Sequence, residues 1–157
     1  TRGTPTTPVG YRTWDTLTLE AGTPLFETEL AGRIPNVAGV RNALDFEKGC
    51  YVGQEVVSRV ENRGRPSRRL VGLEPAAVPD PGAAVVAGDA SVGEVTRGVD
   101  SPSCSRPIAL AYVETATLDD GEPDLAVRID GTDVDATAVS LPFVEGSGRS
   151  GRRPRYD

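Results

Sequence analysis

The residues best suited to chemistry sit in one run, Lys48-Gly49-Cys50-Tyr51-Val52-Gly53-Gln54-Glu55. It holds the only lysine of the 157 residues and one of the two cysteines. All other side-chain positive charge is arginine, so the one ammonium stands two residues from a thiol. A thiol reacts as its thiolate, and both a neighbouring cation and a helix N-terminus favour that form. The following residues predict a helix from about Gly49 to Arg63, which would place Cys50 among the unpaired N–H groups of its first turn. The chemistry on offer is redox, thiol exchange, or the handling of a cluster or one-carbon group. The plain alternative is a small buried residue at a helix start. Lys48 reads either as a partner for thiolate or anionic ligand, or as a solvated charge. Tyr51, Gln54 and Glu55 would line such a site, with Gly49 and Gly53 allowing close backbone approach. Arg59 and Arg63, four apart, share a helix face. With Arg65, Arg68 and Arg69 they form a basic band that reads as an anion site or as ion pairs with Glu55 and Glu61.

Composition narrows the chemistry. With no histidine, neither a Ser-His-Asp triad nor a Cys-His pair can be built from this chain. Cys50 has no companion Cys or His near it, which argues against a self-contained metal site. Two cysteines are too few for a disulfide framework, although one Cys50–Cys104 bridge stays open. Cys104 lies in a Ser/Pro loop and reads as incidental. A net charge of −6 argues against broad phosphate-backbone contact, so no nucleic-acid partner is expected. The Arg149, Arg152, Arg153 and Arg155 tail reads as a solvated tail. No stretch approaches the roughly 18 apolar residues of a membrane span, and no secretory signal is present, so a cytoplasmic location without membrane contact is expected. The near-total use of Arg in place of Lys suggests a high-GC genome, and a halophile source would explain the acidity without reference to any partner.

The elements that position these residues follow from pattern. Thr13 to Ala21 predicts a short helix, with Trp14, Leu17 and Ala21 on one face, Thr13 as cap and Gly22 as stop. Leu25 to Arg33 has no clean period. Ala43 to Phe46 predicts a strand or extended piece. In the second helix Val52, Val56 and Val60 form a narrow apolar stripe, and Gly64 and Pro66 end it. From Arg68 the period becomes that of strands: 70–73, 83–86, 92–95, 108–113, 125–129 and 134–141, with an Asp130-Gly131 hairpin turn. About six short strands at this spacing predict a small antiparallel barrel or sandwich, hence an α+β chain.

These residues carry a family resemblance. Leu17-Thr18-Leu19-Glu20-Ala21-Gly22-Thr23-Pro24, the Lys48–Glu55 run, Arg69-Leu70-Val71-Gly72-Leu73, Gly93-Glu94-Val95-Thr96 and Ile108-Ala109-Leu110-Ala111-Tyr112-Val113 resemble the YgfZ-type folate-binding proteins and their relatives, the glycine-cleavage T-proteins (aminomethyltransferases). The similarity spans roughly residues 10 to 144. It implies a C-terminal region: the end of a middle folate-binding lobe over 11–66 and a C-terminal β-barrel over 67–144, while Thr/Pro-rich composition predicts a linker or tail over 1–10 and Gly/Ser/Arg-rich composition a disordered tail over 145–157. Members are about twice this length, and their catalytic aspartate lies in an N-terminal half not contained here. The resemblance implies a tetrahydrofolate site with Lys48, Tyr51, Gln54, Glu55, Arg59 and Glu20 as ligand-side residues and Cys50 as the catalytic thiol. Glu20 also reads as a residue that orients the loop after it. Trp14 stands where T-proteins carry a folate-contacting arginine, and it cannot make a bidentate contact to a carboxylate. That departure favours the YgfZ type, with a role in iron–sulfur cluster assembly or repair, over a folate-dependent aminomethyltransferase as the alternative. The implied partners are the N-terminal remainder of the same protein and either iron–sulfur client proteins or glycine cleavage components.

Overall fold

The computed structural model of the chain describes residues 8–40, 45, 48–63, 65–121 and 123–144, with only the backbone for 60–63. The predicted extended piece at 43–46 and both chain ends lie outside the described residues, Asp45 apart.

Six strands form a closed antiparallel barrel: β1 (Arg68–Pro75), β2 (Ala84–Ala87), β3 (Ala90–Ser101), β4 (Arg106–Glu114), β5 (Leu125–Ile129) and β6 (Thr132–Val139). Their order around the barrel is β1-β4-β3-β2-β5-β6, and β6 pairs back to β1. All six predicted strands are present. The β5–β6 hairpin turns on Asp130 and Gly131, both at positive φ, as the Asp-Gly pair requires. Closure removes the exposed sheet edges on which other chains could pair.

Strand β4 explains where the core sits. Its run Ile108-Ala109-Leu110-Ala111-Tyr112-Val113 is apolar at every position, the mark of a strand buried on both faces. Ala109, Ala111 and Val113 point into the barrel with Leu73, Val85, Val95, Leu125 and Val127. Ile108, Leu110 and Tyr112 point outward into a second cluster with Leu19, Leu70 and Leu141. That outer cluster is covered by α1 (Tyr11–Glu20) and by the segment after β6, whose Phe143 ring packs where a Cβ on Gly72 would stand.

Strand β3 runs well beyond its predicted 92–95 core. The register shifts between Val95 and Arg97, a bulge that leaves Val95, Thr96 and Arg97 buried in succession. Thr96 Oγ1 donates to the Leu110 carbonyl at 3.1 Å. Arg97 is thereby turned to the outer face, beneath α1.

Helix α1 starts two residues earlier than predicted, with Gly10 rather than Thr13 at its N-cap and no side-chain cap. It ends as predicted. Gly22 takes a left-handed φ of 61°, its N–H reaches Leu19 O at 2.8 Å and the Thr23 N–H reaches Thr18 O at 2.8 Å. This is a Schellman stop. The expected inward stripe differs: Leu19, Thr18 and Glu20 are buried, while Trp14 and Leu17 are exposed. The periodicity marked an apolar face correctly but not which face this chain covers. Beyond it come a π-helical turn at Phe26–Leu30 and a 3₁₀ turn at Pro35–Ala38, then α2 (Gln54–Arg63), with the short α3 (Thr115–Asp119) after β4.

Candidate functional site

The Lys48–Glu55 run is not helical at its start. Helix α2 begins at Gln54, so Cys50 lies four residues ahead of it, in neither helix nor strand. The chain turns at Val52-Gly53, where Gly53 holds a φ of 88° that residues with a Cβ rarely adopt. Helix-terminus electrostatics fade within about one turn, so the expected dipole support for Cys50 does not apply at this position. The thiol is free and exposed.

Local bonds give the run its shape. The Lys48 N–H donates to Asp45 Oδ1 at 3.2 Å. The Tyr51 N–H donates to Gln54 Oε1 at 3.2 Å, and the Gln54 N–H returns to the Tyr51 carbonyl at 3.3 Å. Lys48 Nζ lies 5.2 Å from the Tyr51 ring centroid, within cation–π range. Lys48 and Tyr51 therefore bring an ammonium and a ring together on the surface, and the exposed Cys50 lies between them in the chain. Gln54 shapes that surface through its backbone bond.

Of the predicted Val52, Val56, Val60 stripe, the Val60 side chain lies outside the described residues, and the other two do not pack. Val52 is fully exposed in the turn and Val56 is exposed, whereas Val57 is buried. Because the helix starts late, Val52 falls outside its periodicity. The Val57 carbonyl instead accepts from Asn36 Nδ2 at 3.2 Å, tying α2 to the 3₁₀ turn.

The described members of the basic band are ion-paired. Arg59 meets Glu55 at 2.6 Å, Arg65 meets Asp119 at 2.9 Å, Arg69 meets Asp119 at 3.4 Å and Arg68 meets Glu114 at 3.7 Å. The exposed pairs of Arg59, Arg65 and Arg68 each contribute about 0–1 kcal/mol.

Glu20 is buried away from that run. Its Oε1 accepts from Ser101 Oγ at 2.6 Å and from the Ser103 N–H at 3.3 Å, and its Oε2 accepts from Ser103 Oγ at 3.0 Å. Its carbonyl accepts from the N–H groups of Phe143 and Val144. Glu20 thus clasps the end of α1 to the β3–β4 hairpin and to the segment after β6.

Sequence reasoning missed Arg97, which makes four side-chain hydrogen bonds, more than any other charged side chain among the described residues. Its Nε donates to Glu29 Oε1 at 3.0 Å, Nη1 to Asp15 Oδ1 at 2.8 Å and to Thr18 Oγ1 at 3.0 Å, and Nη2 to the Thr23 carbonyl at 2.9 Å. Glu29 is fully buried, and its Oε2 accepts from the Leu25 N–H and Thr28 Oγ1, each at 2.7 Å. The Glu29 carbonyl accepts from the Tyr112 hydroxyl at 2.9 Å, and Arg33 lies 4.1 Å over the Tyr112 ring. One barrel arginine therefore sets the position of α1 and of the turn after it.

Residues 68–145 match the glycine cleavage T-protein C-terminal barrel domain. The chain carries the C-terminal region of the glycine cleavage T-protein family. It is 43% identical to an aminomethyltransferase of Streptomyces coelicolor over 142 residues, covering 87% of this chain and 38% of that protein. It is 38% identical to a probable aminomethyltransferase of Halobacterium salinarum, over 88% of this chain and 39% of that one. The crystal structure of glycine cleavage system aminomethyltransferase T from Bartonella henselae superposes with a TM-score of 0.72 at 30% identity, covering 83% of this chain and 38% of the other. The chain thus spans well under half the length of these relatives.

These relatives overturn the iron–sulfur reading. It rested on the Lys-Gly-Cys-Tyr run and on tryptophan at position 14, a handful of residues. Identity to aminomethyltransferases extends over nearly the whole chain, and the expectation of iron–sulfur clients falls with that reading. Among the described residues, no helix is long and apolar enough to cross a membrane.

Proposed function

We propose that this chain is the C-terminal part of a folate-dependent aminomethyltransferase of the glycine cleavage type. In this reading it contributes a barrel and one wall of a tetrahydrofolate site, and the N-terminal remainder contributes the rest. The observation that carries the reading is the identity of about two residues in five to aminomethyltransferases across 87% of the chain.

The donor set suits an anionic ligand with a flat ring. The Lys48 ammonium and the Tyr51 ring stand side by side, and Arg59 supplies a guanidinium beyond them. All three face solvent, so opposing residues must complete the site and exclude water from it. When bound, tetrahydrofolate supplies the acceptor nitrogen for the one-carbon group. Lys48 would hold an anionic group of that ligand, and Tyr51 would pack against its ring. Gln54 would hold the Tyr51 backbone, and Glu55 would orient Arg59. Glu20 would keep α1 in place rather than touch ligand. Cys50 would stand as an accessible thiol at the ligand edge.

The test is a tetrahydrofolate titration of the family-length protein that contains this region. Binding is expected, with Lys48→Ala weakening it about tenfold, as loss of one charge-assisted hydrogen bond implies. Absence of binding by the wild type would sink the reading. Full turnover by Cys50→Ser would remove Cys50 from the catalytic set and leave the binding wall standing.

A further inference from the structure

The start of α2 adjoins Lys48 and Tyr51, yet little of the helix is packed. Among its described side chains, 54–59, only Val57 is buried. One apolar contact holds a helix against a surface without fixing its rotation, because nonpolar packing is non-directional. Rotation matters at this position. Tyr51 and Gln54 exchange two hydrogen bonds. The Gly53 carbonyl accepts from the Val56 N–H at 3.1 Å and from the Val57 N–H at 3.3 Å. Tyr51 to Val57 is thus one bonded unit, with the Lys48 ammonium set against its ring. A rotation of α2 by one residue, about 100°, would carry both groups away from where they stand.

Asn36 supplies the missing direction. Its turn, Pro35–Ala38, is seated on the barrel: Val37 packs against the outer cluster of Leu70, Leu110 and Tyr112, and Ala38 is fully buried. Pro35 opens the turn and Gly39 closes it at a left-handed φ of 67°. From this base the buried Asn36 sends its Nδ2 to the Val57 carbonyl at 3.2 Å, across 21 residues of chain. A hydrogen bond requires an angle as well as a distance, so this one selects a single rotation of α2. Packing alone gives no reason for an amide there, since an apolar side chain would fill the position without the cost of desolvation.

We propose that Asn36 is a positioning residue for the ligand wall: by fixing α2 against the barrel it aims Lys48 and Tyr51 at tetrahydrofolate. For its ligand the inference rests on the aminomethyltransferase reading. Asn36 acts through Val57, Gly53 and Gln54 and does not touch the ligand itself.

Hydrogen exchange on the 157-residue chain reads the tie without any ligand. Asn36→Leu keeps the branched shape and removes the donor. It should speed exchange of the Val56 and Val57 amides about three- to tenfold, the range of one lost hydrogen bond. The amides of β4 should keep their rates. If leucine prevents folding at this buried site, Asn36→Ala removes the same bond without the apolar bulk and is read the same way. Unchanged exchange at Val56 and Val57 would overturn the proposal. So would a rise shared equally by β4, since Asn36 would then serve only the stability of the whole chain. A tetrahydrofolate titration of the family-length protein reads the consequence. Asn36→Leu should raise Kd about three- to tenfold. In a Lys48→Ala background the same substitution should cost about twofold or less, because the charge it aims is gone. Equal losses in the two backgrounds would overturn the positioning role. A wild type that binds no tetrahydrofolate sinks the ligand reading instead, and the exchange result still decides whether Asn36 fixes α2.

Discussion

The barrel and the region ahead of it bury their apolar residues by opposite means. In the barrel, closure pairs every strand with two neighbours, and the interior cluster from Leu73 to Ala136 is complete within the chain. The region of α1 and the turns after it contributes Leu19 and partly buried Val37 to the outer cluster, and is otherwise held by polar ties to Arg97, Tyr112 and Ser101. Its aromatics face out. Nonpolar packing is non-directional, so it makes a stable body without fixing one orientation of an added element. Buried hydrogen bonds to a charged group demand one geometry. The difference shows a division of labour: the barrel supplies stability, and the polar ties set how the N-terminal region is presented.

The largest effect should come from cutting the main tie. Arg97→Met leaves the fully buried Glu29 carboxylate without its cation. Removing one partner of a buried pair costs about 3–5 kcal/mol. Chemical unfolding of the chain should show that loss. Trp14 emission, which reports α1 alone, should change at denaturant concentrations where the barrel remains folded by circular dichroism. Replacing both partners, Arg97→Met with Glu29→Met, should recover most of the loss, because no uncompensated charge remains. A single variant within about 1 kcal/mol of wild type would mean that the two regions are joined mainly by Leu19 packing.

Next in size is a matched pair of leucines, one from each region. Leu110 is fully buried on the outer face of β4 and Leu17 is exposed on α1. Leu110→Ala should cost about 2–5 kcal/mol, through lost burial and the cavity left behind. Leu17→Ala should stay within about 0.5 kcal/mol. Urea midpoints on the two variants measure the contrast directly. Equal losses would show that the Leu17 face is already covered in the isolated chain, by itself or by a second copy.

The same contrast explains what was legible from sequence. The barrel was readable because strand alternation and Gly, Pro and Asp turns are local signals, and β4 declared its two buried faces by six apolar residues in a row. The Arg97 tie left no such signal. Its partners lie 68 to 82 residues away in the chain, and the bulge at Thr96 that turns it outward breaks the alternation that would have placed it. The α1 stripe was visible as a pattern, but periodicity cannot say whether a face is covered by the same chain or by another. The Lys48–Glu55 run was singled out by composition and resemblance. Its geometry depended on where α2 starts, which Gly53 decides by turning the chain before the helix.

The smallest effect separates the two kinds of polar tie. Arg128 and Asp133 face each other across the β5–β6 hairpin, with Nε to Oδ1 at 2.8 Å and Nη2 to Oδ2 at 2.9 Å. The hydrogen bonds from Arg128, assisted by its charge, hold the Asp133 carboxyl below its ordinary range. A carboxyl depressed on folding binds fewer protons in the folded state than in the unfolded one. Its contribution is therefore present above the ordinary carboxylate value near about 4 and is lost as pH falls through the depressed folded value. Melting curves of wild type and Asp133→Asn should differ slightly at neutral pH and converge in acid. Both groups are open to solvent, so salt at about 1 M should erase the neutral-pH difference as well. The buried Arg97–Glu29 tie excludes counterions, and the loss on Arg97→Met should survive the same salt. If salt weakened both alike, the N-terminal region would be held by surface electrostatics, and its outward face would not be a fixed surface.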